Sequence, residues 1–253
     1  MSVEGFLYQL GDAVYSVVDK ITEFLMPSPV EQPPNFRHLK RLIKKPLSPH
    51  EFLSLKLQIS FLIYLITGLI LLFFRTNPLW ILALATVEFL YIRYLTTRNR
   101  GFFVDVEPYR FFYYSITWLT FAAFAGYDMV RTIATSVYYY YAYLALVVVL
   151  ILAFRWYFKQ RYGRDYTYGV VEEIKGDAVR VFVHDDIAAN VKPGYYWVDA
   201  VEDLRVGRVV KLLVEDRKFR GSVPSRIIEV YLEGDESRDQ SSQTETEPKE
   251  ETE

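Results

Sequence analysis

The sequence predicts an α-helical membrane protein of four transmembrane helices, followed by a small all-β barrel of OB or SH3-like kind. Three observations carry this expectation. Four apolar stretches, at residues 52–74, 79–94, 111–130 and 133–158, each approach the roughly 20 residues a helix needs to cross a hydrocarbon core about 30 Å thick. Lys and Arg are distributed unevenly between the flanks of those stretches. Beyond residue 164 the apolar period changes from helical to alternating. A mean hydropathy of +0.07 hides this organisation, because it averages an apolar middle with two polar flanks. For 253 residues, 51% hydrophobic and 24% charged, a membrane block plus a small soluble domain fits better than one large globule.

Residues 1–26 read as an amphipathic heptad helix. Val3, Leu7, Leu10, Val14, Val17, Ile21 and Phe24 recur in steps of four and three, the spacing of a coiled-coil seam. Phe6, Val18 and Leu25 widen the stripe, and the polar face is acidic, with Glu4, Asp12, Asp19 and Glu23 against Lys20. Helices that lie on anionic lipid carry basic polar faces. Packing against a protein surface, in this chain or a second copy, is therefore the expectation. The same acids, and the lack of a basic segment before an apolar run, mean that no secretory signal is expected here.

Residues 27–51 form a Pro-rich basic linker. Pro27, Pro29, Pro33, Pro34, Pro46 and Pro49 preclude a continuous helix. Arg37, Lys40, Arg41, Lys44 and Lys45 make a basic flank suited to anionic lipid headgroups. Nucleic acid is not an expected partner, since this cluster lies within reach of the bilayer.

The transmembrane domain is expected over 52–160. Basic residues around the four stretches alternate as six, one, four, one and four: Arg37 to Lys56, Arg75, Arg93 to Arg110, Arg131, and Arg155 to Arg164. The positive-inside rule then puts the protein in the cell membrane with both termini cytoplasmic. Trp80, Tyr127 and the run from Tyr138 to Tyr141 fit an outer aromatic belt, and Tyr91, Tyr94, Tyr109, Tyr113, Trp156 and Tyr157 an inner one. Glu88 lies inside the second span, and an ionisable group at that depth marks a candidate site. Equal depth on the neighbouring spans brings Phe61, Gln58, Ser60, Ser115, Thr117 and Trp118 near it. Either Glu88 joins helices by hydrogen bonding, or it serves a small proton- or ion-coupled transporter or channel. No second ionisable group shares its depth, which favours the first.

A cytoplasmic β-barrel domain is expected over 164–233. Runs at 166–174, 178–184, 195–201, 208–214 and 226–232 supply five strands, and Lys175-Gly176-Asp177 marks a hairpin. Closure into a barrel would remove exposed edges. Alternation places Tyr195 and Trp197 on one face and Tyr196 on the other. His184, Asp185 and Asp186 form a compact polar cluster, with Asp199, Glu202 and Asp203 in the vicinity. It lacks the spacing of a metal site and reads as a strand end. Residues 234–253 are an acidic tail expected to be disordered.

No phosphate loop, nucleophile elbow or zinc-protease helix occurs. With no Cys and only His38, His50 and His184 as histidines, neither an enzyme nor a cofactor is expected. Four spans followed by Tyr168-Gly169-Val170-Val171, Lys175-Gly176-Asp177, Asn190-Val191-Lys192-Pro193-Gly194 and Val206-Gly207-Arg208-Val209-Val210 resemble an archaeal membrane-protein family of uncharacterised function. That family is domain of unknown function 2101, and the resemblance covers about residues 35–233. It implies no activity. The layout is also distantly similar to that of NfeD-type membrane proteins, which join a short membrane block to an OB-like barrel and partner stomatin-like scaffolds. Together these features predict a non-enzymatic anchor or scaffold that presents its barrel and N-terminal helix to partners.

Overall fold

The computed structural model describes residues 3–30, 48–202, 204–217 and 221–231, and the chain divides into two compact units, Met1–Arg161 and Tyr162–Glu253. The basic cluster from Arg37 to Lys45, Asp203 and the acidic tail all lie outside the described residues.

The first unit is helical: α1 (Val3–Leu25), α2 (Pro49–Phe73), α3 (Pro78–Arg98), α4 (Val106–Ile133) and α5 (Tyr138–Tyr162). The expected linker gives way to helix before residue 51. Pro49 occupies the first turn of α2, where a missing N–H costs no hydrogen bond. Ser48 Oγ accepts from Glu51 N at 3.2 Å and Ser48 N donates to Glu51 Oε2 at 3.0 Å, a complete capping box. Asn77 and Asp105 cap α3 and α4 by their side chains alone, accepting from Leu79 N at 2.9 Å and Glu107 N at 3.2 Å.

The fourth apolar stretch does not begin at Ile133. That residue ends α4, and α5 starts at Tyr138 after a short turn in which Ser136 Oγ accepts from Tyr138 N at 3.4 Å. Among the described residues three helices, α2, α3 and α5, are long and apolar enough to cross a membrane. The stretch expected as the third span lies within α4, whose apolar residues are diluted by Tyr113, Tyr114, Ser115, Thr117, Trp118 and Thr120.

α2, α3 and α4 pack on one another. Gly68 lets α2 approach α4, since a Cβ there would sit 2.2 Å from Phe124 Cε2. Leu72, Ile81 and Phe124 form a buried cluster beside it. Arg131 closes one end, donating to Asp128 Oδ1 at 2.6 Å and to the Leu72 carbonyl at 3.1 Å. α5 meets α4 through Phe112 with Phe154 and Phe158, and Phe111 with Tyr157. Its Tyr143 hydroxyl also donates to the Ala123 carbonyl. Phe158 is the single buried residue of α5, while Leu144, Leu146 and Val148 through Leu152 are exposed. A helix apolar around its circumference suits acyl chains rather than water.

The second unit is a five-stranded antiparallel sheet: β1 (Tyr166–Lys175), β2 (Ala178–Val183), β3 (Gly194–Asp199), β4 (Val209–Glu215) and β5 (Val223–Val230), in the order β3-β2-β1-β4-β5. At the expected hairpin Lys175 pairs with Ala178, and Gly176 takes a φ of 57°, the positive angle that the first position of a type II′ turn requires. Alternating side chains from all five strands, with Ala189 and Val191, build one core: Val171, Val179, Val181, Val183, Val198, Val210, Leu212 and Ile227.

β1 ladders with both β2 and β4, and Gly169 makes that possible. A Cβ at this position would lie 2.4 Å from Val181 Cγ1, 3.0 Å from the Phe182 carbonyl and 3.1 Å from Leu212 Cδ1. The expected closed barrel is instead a curled half-barrel. Edge strands β3 and β5 approach without laddering, and a parallel bridge from Val191 to Ser222 lies outside the named strands. The two edges run in the same direction after a meander and a crossover, so the sheet curls toward closure without completing it.

Candidate functional site

Among the intramembrane candidates, the helices bring Glu88 together with Ser60. Glu88 is buried, 7% exposed, and its Oε1 accepts from Ser60 Oγ at 2.9 Å, linking α3 to α2. One turn along α2 from Ser60, Tyr64 is buried and donates its hydroxyl to the Thr117 carbonyl at 3.3 Å, linking α2 to α4. Tyr64 and Tyr91 lie within electrostatic reach of the Glu88 carboxyl. Thr117 is buried, and its Oγ1 has no hydrogen-bond partner. Ser115 is half-buried, whereas Gln58 and Trp118 are exposed. Gln58 Nε2 donates along its own helix to Ser54 Oγ at 3.3 Å, and Trp118 contacts the Phe89 and Phe121 rings. The polar layer is therefore Ser60, Tyr64, Glu88 and Thr117.

Tyr64 and His50 were not singled out from sequence. A lone phenol four residues after Ser60 in an aliphatic run was the available signal for Tyr64. His50, expected in the linker, is instead buried in the first turn of α2, edge-on to the Phe103 and Tyr109 rings. Its Nδ1 accepts from Val104 N at 3.4 Å, and its Nε2 lies 3.3 Å from the Tyr109 hydroxyl. The Ser-x-x-Glu capping box around it was the signal that could have placed it on a helix.

In the sheet domain, Asp186 is buried and anchors the segment after β2. It accepts from Arg164 Nη2 at 3.1 and 3.2 Å, Thr167 Oγ1 at 2.8 Å, Ala188 N at 3.1 Å and Ala189 N at 3.0 Å. Its oxygens are thus taken up by the fold. His184 stacks edge-on against Phe182 with centroids 5.1 Å apart. Among the described residues no group of three His, Asp or Glu side chains is placed to hold a metal ion.

The outer face of β2 and β3 carries a different kind of surface. Tyr195 and Trp197 project outward, 57% and 50% exposed, while Tyr196 packs inward on the core. Register places Phe182 beside Tyr195 and Arg180 beside Trp197. The Arg180 guanidinium lies 5.3 Å from the Tyr195 centroid and the Lys175 ammonium 5.6 Å from that of Trp197. Both cations are neutralised from β1: Arg180 by Glu172 at 3.8 Å and Glu173 at 3.1 Å, and Lys175 by Glu173 at 2.8 Å. The Lys175 hydrogen bond, with the charge of Arg180 nearby, holds the Glu173 carboxyl below its ordinary range. Further round the sheet, burial pushes the Tyr168 phenol up to about 12, and its hydrogen bond with Tyr231 acts in the same sense.

No curated protein and no solved structure matches the chain. A family model described as "Predicted membrane protein (DUF2101)" matches residues 21–228, and the chain belongs to that family.

Proposed function

We propose that this protein is a non-enzymatic, four-span anchor of the cell membrane that presents an OB-like sheet domain to a protein partner on the cytoplasmic side. The observation that carries the reading is the β2–β3 face. Exposed Tyr195 and Trp197, flanked by Phe182 and Arg180, are the residue types that dominate binding energy at protein interfaces. Because Glu172 and Glu173 neutralise its cations, the face lacks the net positive charge that nucleic acid or anionic headgroups select.

The finer architecture has its own support. Strand order β3-β2-β1-β4-β5, with β1 shared by two ladders and β3 beside β5, is the connectivity of a five-stranded OB barrel opened at one seam. α4, at 28 residues, is about 42 Å long and packs along α3, which supports a fourth crossing. An even number of crossings returns both ends to one side, and the Lys and Arg alternation assigns that side to the cytoplasm.

The expected result is that full-length protein purified from native membranes retains one stoichiometric partner, and that Tyr195→Ala with Trp197→Ala loses it without loss of folded protein. Retention by the double variant, or no partner at all, would overturn the reading.

The unpartnered Thr117 hydroxyl in the same layer as Glu88 favours one alternative, ion- or proton-coupled transport. That reading requires Glu88→Gln to abolish flux in proteoliposomes at an unchanged yield of folded protein. The anchor reading expects no flux in either protein, and a lower thermal midpoint for Glu88→Gln as the α2–α3 hydrogen bond weakens.

A further inference from the structure

α1 is held to its own chain by its last turn. Glu23 pairs with Arg98 of α3, the Phe24 ring meets that of Tyr94 at 5.3 Å, and Val30 N donates to the Arg98 carbonyl at 2.9 Å. Upstream of that attachment the apolar stripe is open, with Val14 and Val17 each 56% and Ile21 52% exposed. A helix of this length is marginal in water without a packed face, so the stripe needs a cover.

The heptad identifies the cover. Leu7, Val14 and Ile21 fall at a positions, and Val3, Leu10, Val17 and Phe24 at d. Apolar residues sustained at a and d over three heptads make a seam that a second helix of the same kind covers. Asp12 and Asp19 fall at f and Glu23 at c, so self-pairing turns these like charges away from the seam. Beside the seam the e and g positions are mostly apolar, with Phe6, Ala13, Val18 and Leu25. Lipid is a poor alternative, because the polar face upstream of the Glu23–Arg98 pair would set Asp12 and Asp19 against an anionic surface with Lys20 alone to offset them. A sustained 3.5-residue period is also more than a membrane-surface helix needs.

We infer that α1 pairs with α1 of a second copy of this chain through the Val14–Val17–Ile21 stripe, making the protein a homodimer joined outside the bilayer. This goes beyond the anchor reading and does not depend on the β2–β3 face, so either can fail alone. Dimerisation would double every surface the anchor presents, and avidity would follow from that geometry.

The chain contains no Cys, which makes the test direct. Single variants Val14→Cys, Ile21→Cys, Asp12→Cys and Asp19→Cys of the full-length protein are reconstituted in liposomes at low protein density and oxidised. Val14 lies at mid-helix and meets its counterpart whether the pair runs parallel or antiparallel. At least tenfold more disulfide-linked dimer from Val14→Cys than from Asp12→Cys or Asp19→Cys is expected. Efficient linking at Ile21→Cys as well selects the parallel pair. Equal linking on both faces, or none at Val14→Cys, overturns the proposal. As a second readout, Val14→Glu with Ile21→Glu should halve the protein mass per particle in detergent with unchanged tryptophan emission. An unchanged mass also overturns it.

Discussion

Replacing Asp186 with alanine is expected to lower the stability of the sheet domain by about 3 kcal/mol. That is a large share of what a small module possesses. The carboxylate is buried and serves Arg164, Thr167, Ala188 and Ala189 at once. A hydrogen bond to a charged acceptor contributes about 1.5–3 kcal/mol, and bonds sharing one acceptor do not add. Alanine removes every acceptor together while the N–H groups of buried Ala188 and Ala189 stay behind. Asp186→Asn keeps an oxygen for those N–H groups but loses the charge opposite Arg164, and should fall between alanine and wild type. Denaturant unfolding of the full-length protein, followed through Trp197 with Trp80, Trp118 and Trp156 replaced by Phe, measures the difference. A wild-type midpoint for Asp186→Ala would remove Asp186 from its anchoring role.

Gly169→Val should destabilise the same domain by a similar amount, about 3 kcal/mol, through overpacking rather than lost bonds. The first added carbon already falls 2.4 Å from Val181 Cγ1 and 3.1 Å from Leu212 Cδ1. Both neighbours are fully buried, so neither can swing into solvent. The Phe182 carbonyl, 3.0 Å away, is backbone and cannot move without opening the β1–β2 ladder. Gly169→Ala should show the same defect at smaller size. In the same unfolding assay, an alanine variant as stable as wild type would mean that β2 and β4 are free to spread from β1.

Both positions also mark the limit of what could be read in advance. Helices and strands were legible where period and punctuation agree, as at Lys175-Gly176-Asp177 between β1 and β2; at Ser48-Pro49 the proline reads as linker although it opens α2. That Tyr195 and Trp197 share one face and Tyr196 takes the other followed from alternation alone, whereas which face turns inward did not. What escaped depends on segments distant in the chain. Tyr64 meets Thr117 across 53 positions and His50 meets Tyr109 across 59, and no local pattern encodes either meeting. Asp186 was visible as a polar cluster, but its partner Arg164 lies 22 positions earlier. Counting depth along helices found Ser60 for Glu88. It could not give the rotation that leaves Gln58 and Trp118 exposed. Barrel closure failed for a related reason: strand count predicts curvature, whereas completing the ring depends on how β3 and β5 meet.

The contrast between α5 and the α2–α4 packing has a mechanical consequence. α2 is keyed into α4 at Gly68, where the ring of Phe124 leaves no room for slippage. α5 meets α4 through a ladder of rings, one tyrosine hydroxyl and the close approach of Tyr143 to Gly126, and buries Phe158 alone among its own residues. A helix with so little buried surface is expected to tilt at less cost than α2 when hydrocarbon thickness changes, so a bilayer is expected to act on α5 first.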